Sequence, residues 1–251
     1  MQDQWVPEHH YHLIGKAIPG RTLFRDEAEH MWFLKKVLRF KWYAFFEIYA
    51  YCLCGNHFHL CVRTRPVDDL VEELELRPHY GRSELDERYL RGELPYAHYV
   101  WHAFAGSLSG FARHTNSVQQ LGGQVLIEPT LHGLTDKGAP GHEFSRRLCA
   151  YVGLNYVKHG LGTLETRYRW SSLHSNQFKL VERAMLYEHF DGEEAYRTYH
   201  RNYLRRFGQL LHAFDEDRFF DALTPRRQHP ETGVWELGEW RPSRAEAPAG
   251  S

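Results

Sequence analysis

His57 and His59 flank one bulky apolar residue, Phe58, at the head of an apolar run through Leu60, Cys61 and Val62. In an extended strand, residues i and i+2 point to the same side. Two imidazoles would then converge on one point while Phe58 turns into a core. Neutral imidazole is the commonest metal ligand among side chains, so a divalent ion explains why a hydrophobic strand gives one face to two polar rings. Two histidines leave such an ion under-coordinated. Tyr151 and Asn155 are four residues apart in a stretch with helical spacing, which puts a phenol and an amide oxygen on one face. The amide oxygen is a candidate third ligand and the phenol a candidate nucleophile. Free tyrosine titrates at roughly pH 10, so the phenol needs activation. A metal that polarises a phosphoryl oxygen makes the phosphorus easier to attack and spreads the developing charge.

Other readings of the same residues stay open. His57 and His59 also read as hydrogen-bonded strand histidines. Gly55-Asn56 is a turn signal, and a tight hairpin there would set Cys54 opposite His57 and Cys52 opposite His59. Thiolate and imidazole together suit structural zinc, although cysteine also serves as a small buried hydrophobe. Tyr156 is a rival phenol, one position past Asn155 and off the Tyr151 face. Arg146, Arg147, Lys158 and His159 flank the tyrosine helix, either as a solvated face or as phosphate contacts. Arg197, Arg201 and Arg205 recur at i, i+4, i+8, and Arg206 follows them. These arginines alternate with Tyr196, Tyr199 and Tyr203. That stripe reads as a single-strand binding face or as a charged surface helix with a packing side.

These residues need a sheet and helices to hold them. The spacing predicts a strand over 11–18 stopped by Pro19-Gly20, a helix over 26–40, a strand over 44–54 and a returning strand over 57–64. Helix plus loop is expected over 66–95, a long helix over 96–117, a strand-like stretch over 121–131 and a loop over 135–141. A helix over 142–159 closed by Gly160 follows, then further helix over 177–219. Strands without regular βαβ alternation predict an α+β class, an antiparallel sheet with helices packed on it. The expected organisation is a catalytic domain over 1–172, a helical extension over 173–228 with a possible DNA-binding role, and a weakly ordered polar tail over 229–251.

Composition narrows the class. The chain has 251 residues, 42% of them hydrophobic and 15% aromatic, enough for one large core. Lysine and arginine (31) balance aspartate and glutamate (32) for a net charge of −1, so nucleic-acid binding must rest on local patches. No run is apolar and long enough to span a membrane. The first residues carry no basic flank or apolar signal core. Four clustered cysteines do not make a disulfide framework. A cytoplasmic chain with reduced thiols is expected.

Gly55-Asn56-His57-Phe58-His59-Leu60 resembles the HUH motif (His, hydrophobe, His) of single-tyrosine transposases. Tyr151-Val152-Gly153-Leu154-Asn155-Tyr156-Val157-Lys158-His159-Gly160 resembles that family's helix motif, a tyrosine followed by Asn-Pro-Val-(Lys/Arg)-x-Gly, with Tyr156 standing in the proline position. Tyr11-His12, Leu23-Phe24 and Trp170-Ser171-Ser172 fit the same pattern in the same order, and the nearest branch is the REP-associated tyrosine transposases. The resemblance spans about residues 8–175. It implies a ferredoxin-like or RRM-like HUH nuclease sheet with the histidines on a central strand. It implies that His57, His59 and Asn155 hold Mg²⁺ or Mn²⁺, and that Tyr151 attacks a phosphodiester of hairpin-containing single-stranded DNA. The product would be a 5′-phosphotyrosine link beside a free 3′-hydroxyl, which conserves the ester bond for rejoining. The implied setting is a bacterial, nucleoid-associated protein acting as a monomer in preference to a homodimer. A chain that kept the fold as a non-catalytic nucleic-acid-binding regulator would bind without cleaving.

Overall fold

The computed structural model describes residues 5–42, 46–126, 130–134, 143–163, 165–211, 225–228 and 235–237. Strand β1 (His10–Lys16) leads into helix α1 (Glu27–Trp42), then into the hairpin of β2 (Phe46–Cys54) and β3 (His57–Thr64). Helices α2 (Val67–Leu76), α3 (Glu84–Leu90) and α4 (Tyr96–Gln119) cross back to β4 (Thr130–Leu134). The sheet order is β2-β3-β1-β4, and every neighbouring pair is antiparallel. This is the split βαβ arrangement of ferredoxin-like folds, an α+β sheet with β3 in its interior.

Both faces of β3 are covered, and its residues are buried from His57 to Val62. On one face Phe58 meets Phe33 of α1 at a ring separation of 4.5 Å, and Phe33 meets Phe111 of α4 at 4.9 Å. Gly15 lies under the Phe58 ring, where an added Cβ would run into its edge. On the other face lie His57, His59 and Cys61, against helix α5 (Glu143–Gly153). Cys61 Sγ is 3.5 Å from Cys149 Sγ of α5. Helix α6 (Asn155–Lys158) follows, then α7 (Arg183–His189) and α8 (Glu193–Leu211). Leu186, Phe190, Tyr196 and Tyr203 from these last helices join the same buried core as Cys149 and Val152. The outer edge of β2 is closed by the chain at 170–172, where Leu53 N–H donates to Trp170 O (2.9 Å) and Ser172 N–H to Tyr51 O (3.0 Å).

Phe58→Ala removes a fully buried ring and should cost about 3–5 kcal/mol. A urea titration of the variant checks this. A loss below about 1 kcal/mol would contradict the packing.

Several elements differ from the sequence expectation. The strand-like stretch expected at 121–131 overlaps β4 at Thr130 and Leu131; before them, among the described residues, Leu126 makes an isolated bridge to Ala17. Gly-Gly at 122–123 favours turns over strand. The expected helix over 142–159 is interrupted at Leu154 (φ −99°, ψ 3°). The Ser171 hydroxyl donates to Gly153 O at 2.6 Å, which satisfies a carbonyl at the end of α5 and supports the break. Gly160 takes a positive φ of 66° after α6, the conformation glycine tolerates best. The helix expected over 177–219 is a short 3₁₀ turn at Gln177–Lys179 followed by α7 and α8, which are separated at Asp191 and Gly192 with φ of 62° and 124°; residues 212–219 lie outside the described residues. The loop at 135–141 and most of the tail lie outside the described residues. From the tail, β6 (Trp235–Leu237) pairs with β5 (Pro225–Gln228), which precedes it.

Candidate active site

The β2–β3 hairpin has the register its turn predicts, with Cys54 opposite His57 and Cys52 opposite His59. The His57 ring is 6% exposed. Its Nδ1 lies 2.7 Å from Asn56 Oδ1. An amide oxygen only accepts, so Nδ1 carries the proton and Nε2 keeps its lone pair. That Nε2 is buried and has no hydrogen-bond partner. Donor atoms of Cys54, His57 and His159 lie within 4.8 Å of one another, a Cys/His/His group able to hold a metal ion. The His159 ring sits 4.3 Å from the His57 ring. The sequence reads His159 as part of a solvated face or as a phosphate contact. The turn after Lys158 brings it back over β3, and spacing alone does not reveal that return.

His59 is fully buried, and its Nδ1 lies 2.8 Å from His12 Nε2. If His59 donates, its Nε2 is left with the lone pair. A ligating histidine is oriented in this way, through the hydrogen bond of its other nitrogen. His12 was visible only as part of a motif block. Its role depends on the β1–β3 register, in which Ile14 faces His59 and His12 lies diagonally across. Burial holds the His59 imidazole well below the usual histidine range, helped by the neighbouring charges of His12, His57, His159 and Lys158. It is therefore neutral, as a metal ligand must be.

Tyr151 has no solvent exposure. Its ring stands edge-on to His59 at 5.9 Å and to His12 at 5.7 Å. The Lys158 ammonium donates to its hydroxyl at 3.1 Å. Asn155 is also fully buried. Its Oδ1 accepts from Cys54 Sγ at 3.9 Å, and its Nδ2 has no hydrogen-bond partner. His57, His59, Tyr151 and Asn155, from two segments distant in sequence, thus gather in one buried cluster with His12 and Cys54, bordered by the half-buried Lys158 and the exposed His159.

No family model matches the chain, and no curated protein matches it. A solved structure of a REP-associated tyrosine transposase bound to a REP hairpin is similar to it. The likeness covers 68% of this chain and 79% of that one, at 14% identity and a TM-score of 0.40. Likeness at that level bears on neither activity nor substrate, so the side chains themselves carry the functional reading. Among the described residues no helix is long and apolar enough to cross a membrane.

The remaining basic residues fall into separate settings. Arg146 donates to His189 O (2.6 Å) and to Asp191 Oδ2 (2.8 Å), which ties α5 to the turn before α8. Arg147 is half-buried on the same helix. Arg197 pairs with Glu193 at 2.6 Å and Arg201 with Glu194 at 2.9 Å, both on the exposed side of α8. Arg205 is exposed one turn further on. Tyr156 is buried with Cys52 and Cys54, and its hydroxyl lies 2.7 Å from His174 Nε2, so this phenol serves packing.

His200 on α8 is buried against Tyr196 and Phe190, and burial pushes its pKa down to about 4. An unfolded histidine titrates at about 6.5. The unfolded chain therefore binds this proton first, and stability rises with pH between the two values. His200 alone should remove about 2 kcal/mol of stability at pH 5 relative to pH 7.5. Urea titrations at the two pH values should show the loss, and His200→Gln should reduce it. An equal loss in the variant would exclude His200 as its source.

Proposed function

We propose that the chain is a metal-dependent, transposase-like endonuclease and strand transferase of single-stranded DNA, with Tyr151 as nucleophile. The observation that carries this reading is the Tyr151 hydroxyl, held by Lys158 at 3.1 Å beside strand histidines that are set up as ligands. A phenol packed only for structure has no need of an ammonium on its oxygen or of paired histidines against its ring. The buried His57 Nε2 without a partner fits a divalent cation, Mg²⁺ or Mn²⁺, held by His57, His59 and Asn155. Such an ion would polarise a phosphoryl oxygen and take up charge as it develops.

The chain's own groups account for the rest. Asn56 fixes the His57 tautomer. His12 orients His59. Lys158 stabilises negative charge on the Tyr151 oxygen as it attacks. The phenol oxygen bonds to the phosphorus, and the bond from phosphorus to the 3′-oxygen breaks. The leaving oxygen departs with the electron pair and, on balance, gains the proton the phenol lost. The result is a 5′-phosphotyrosine and a free 3′-hydroxyl. A hairpin-containing strand is the proposed substrate, and a bacterial, nucleoid-associated monomer is the proposed acting form.

The test is incubation with end-labelled single-stranded DNA pools with Mg²⁺, with Mn²⁺ and with EDTA, followed by a denaturing gel. A protein-linked band that depends on metal is expected. Absence of any such band across hairpin and linear pools would overturn the proposal.

One observation favours a second reading. Cys54 lies with His57 and His159, and Cys52 Sγ is 3.9 Å from Cys54 Sγ. Thiolate with imidazole is a zinc donor set. On this reading the hairpin carries a structural zinc, drawn from Cys52, Cys54, His57 and the neighbouring histidines. Stoichiometric zinc in purified protein, lost together with fold stability in Cys54→Ser, would favour it over the catalytic ion.

A further inference from the structure

A second concave site lies outside the histidine cluster. It is a cavity of about 550 Å³ between the chain at 165–174, α7 and α8. Arg167, Arg183, Arg197 and Arg201 line it from three separate segments, and Glu165 is the only acidic residue among those lining it. All four arginines are exposed, so they form the rim. Below them lie Leu186 and Tyr196, both buried, and the half-buried Tyr187, with Ser172, His174 and His200 beside them. Arg197 and Arg201 are paired with Glu193 and Glu194. Exposed ion pairs of this kind are weak, so an incoming phosphate can displace the glutamates. The floor also reaches the proposed nucleophile helix. An added Cβ on Gly153 would lie 3.5 Å from His200 Nε2 and 3.7 Å from Leu173 Cβ, and both residues line the cavity. Gly153 stands between Tyr151 and Asn155.

Guanidinium groups suit phosphate, because they offer paired donors in a planar fork. Aromatic rings below them suit a base, because every base presents a stacking face. We infer that this cavity binds a nucleotide unit of the single-stranded substrate, with its phosphate on the arginine rim and its base on the tyrosine floor. The inference rests on the proposed single-strand activity and adds a substrate subsite to it. It also divides the arginine stripe of α8. Arg197 and Arg201 belong to the subsite, and Arg205 does not line it.

The test measures fluorescence anisotropy of a labelled single-stranded oligonucleotide on the full chain, in EDTA, across a salt series. The proteins compared are wild type, Arg167→Ala/Arg183→Ala and Arg167→Lys/Arg183→Lys. Each phosphate contact contributes about 0.7 to the slope of log K against log salt for single strands. With one phosphate on the rim, the alanine pair should lower the slope by up to about 0.7 and weaken binding most at low salt. The lysine pair should keep most of the slope. Unchanged affinity and slope in the alanine pair would overturn the subsite and leave the proposed activity standing. Failure of the wild type to bind any single strand would remove both.

Discussion

His57→Ala is expected to abolish the covalent DNA adduct and to weaken metal binding by at least about 100-fold, the upper end of what losing a mere outer-shell partner costs, while the fold survives. The reason lies in the two ring nitrogens. Nδ1 is committed to Asn56, and Nε2 is buried without a partner. A buried polar atom left unsatisfied costs about 1–3 kcal/mol. Replacing the ring with a methyl group removes that cost and leaves a cavity, and these effects oppose each other. Stability should therefore change little while function is lost. A structural histidine would give the reverse pattern. Asn56→Ala should act more mildly, because it frees the tautomer without removing the ligand. A loss of metal affinity of about 10- to 100-fold is expected there. Calorimetric titration with Mn²⁺, paired with urea unfolding, reads both quantities. A His57→Ala protein that unfolds readily yet binds the ion normally would contradict the assignment.

Lys158→Met should slow adduct formation by about 10²–10³-fold, the range seen when one donor to a developing charge is removed. Strand binding in EDTA should stay close to that of the wild type. The Lys158 ammonium touches the Tyr151 oxygen itself and also lies 5.3 Å from the centre of its ring. Its contribution should therefore appear in the chemical step. A general phosphate-binding role would instead weaken affinity and reduce the salt dependence. Lys158→Arg, which keeps the charge, should recover part of the rate. Tyr151 has no solvent contact in the state described, so a strand can reach its hydroxyl only after the groups packed on it, Lys158 among them, shift. A rate unchanged in Lys158→Met would remove the lysine from the mechanism.

Much of this site was legible in the sequence because it rests on short-range geometry. Alternation along β3 put His57 and His59 on one face and Phe58 on the other. The Gly55-Asn56 turn sets Cys54 opposite His57 and Cys52 opposite His59 across the hairpin. The four-residue spacing of Tyr151 and Asn155 brought both to the same cluster, although Leu154 breaks the helix between them. That break depends on Ser171 reaching Gly153 O from beyond the helix, and helical periodicity cannot report such a contact. His12 and His159 were missed as neighbours of the site for a related reason. One depends on the register between two strands far apart in sequence, and the other on the path of the chain after a helix end. The arginine stripe of α8 was also legible, but its completion by Arg167 and Arg183 was not, because three segments must fold together to form that cavity.

The central claim is that Tyr151 carries the covalent link. The most direct measurement is mass analysis of proteolysed adduct, made with hairpin-containing single-stranded DNA and Mn²⁺, in wild type and in Tyr151→Phe. The account predicts a nucleotide-modified peptide containing Tyr151 in the wild type and no adduct in the variant. A modified peptide containing Tyr156 or another residue, or an adduct that persists in Tyr151→Phe, would contradict it.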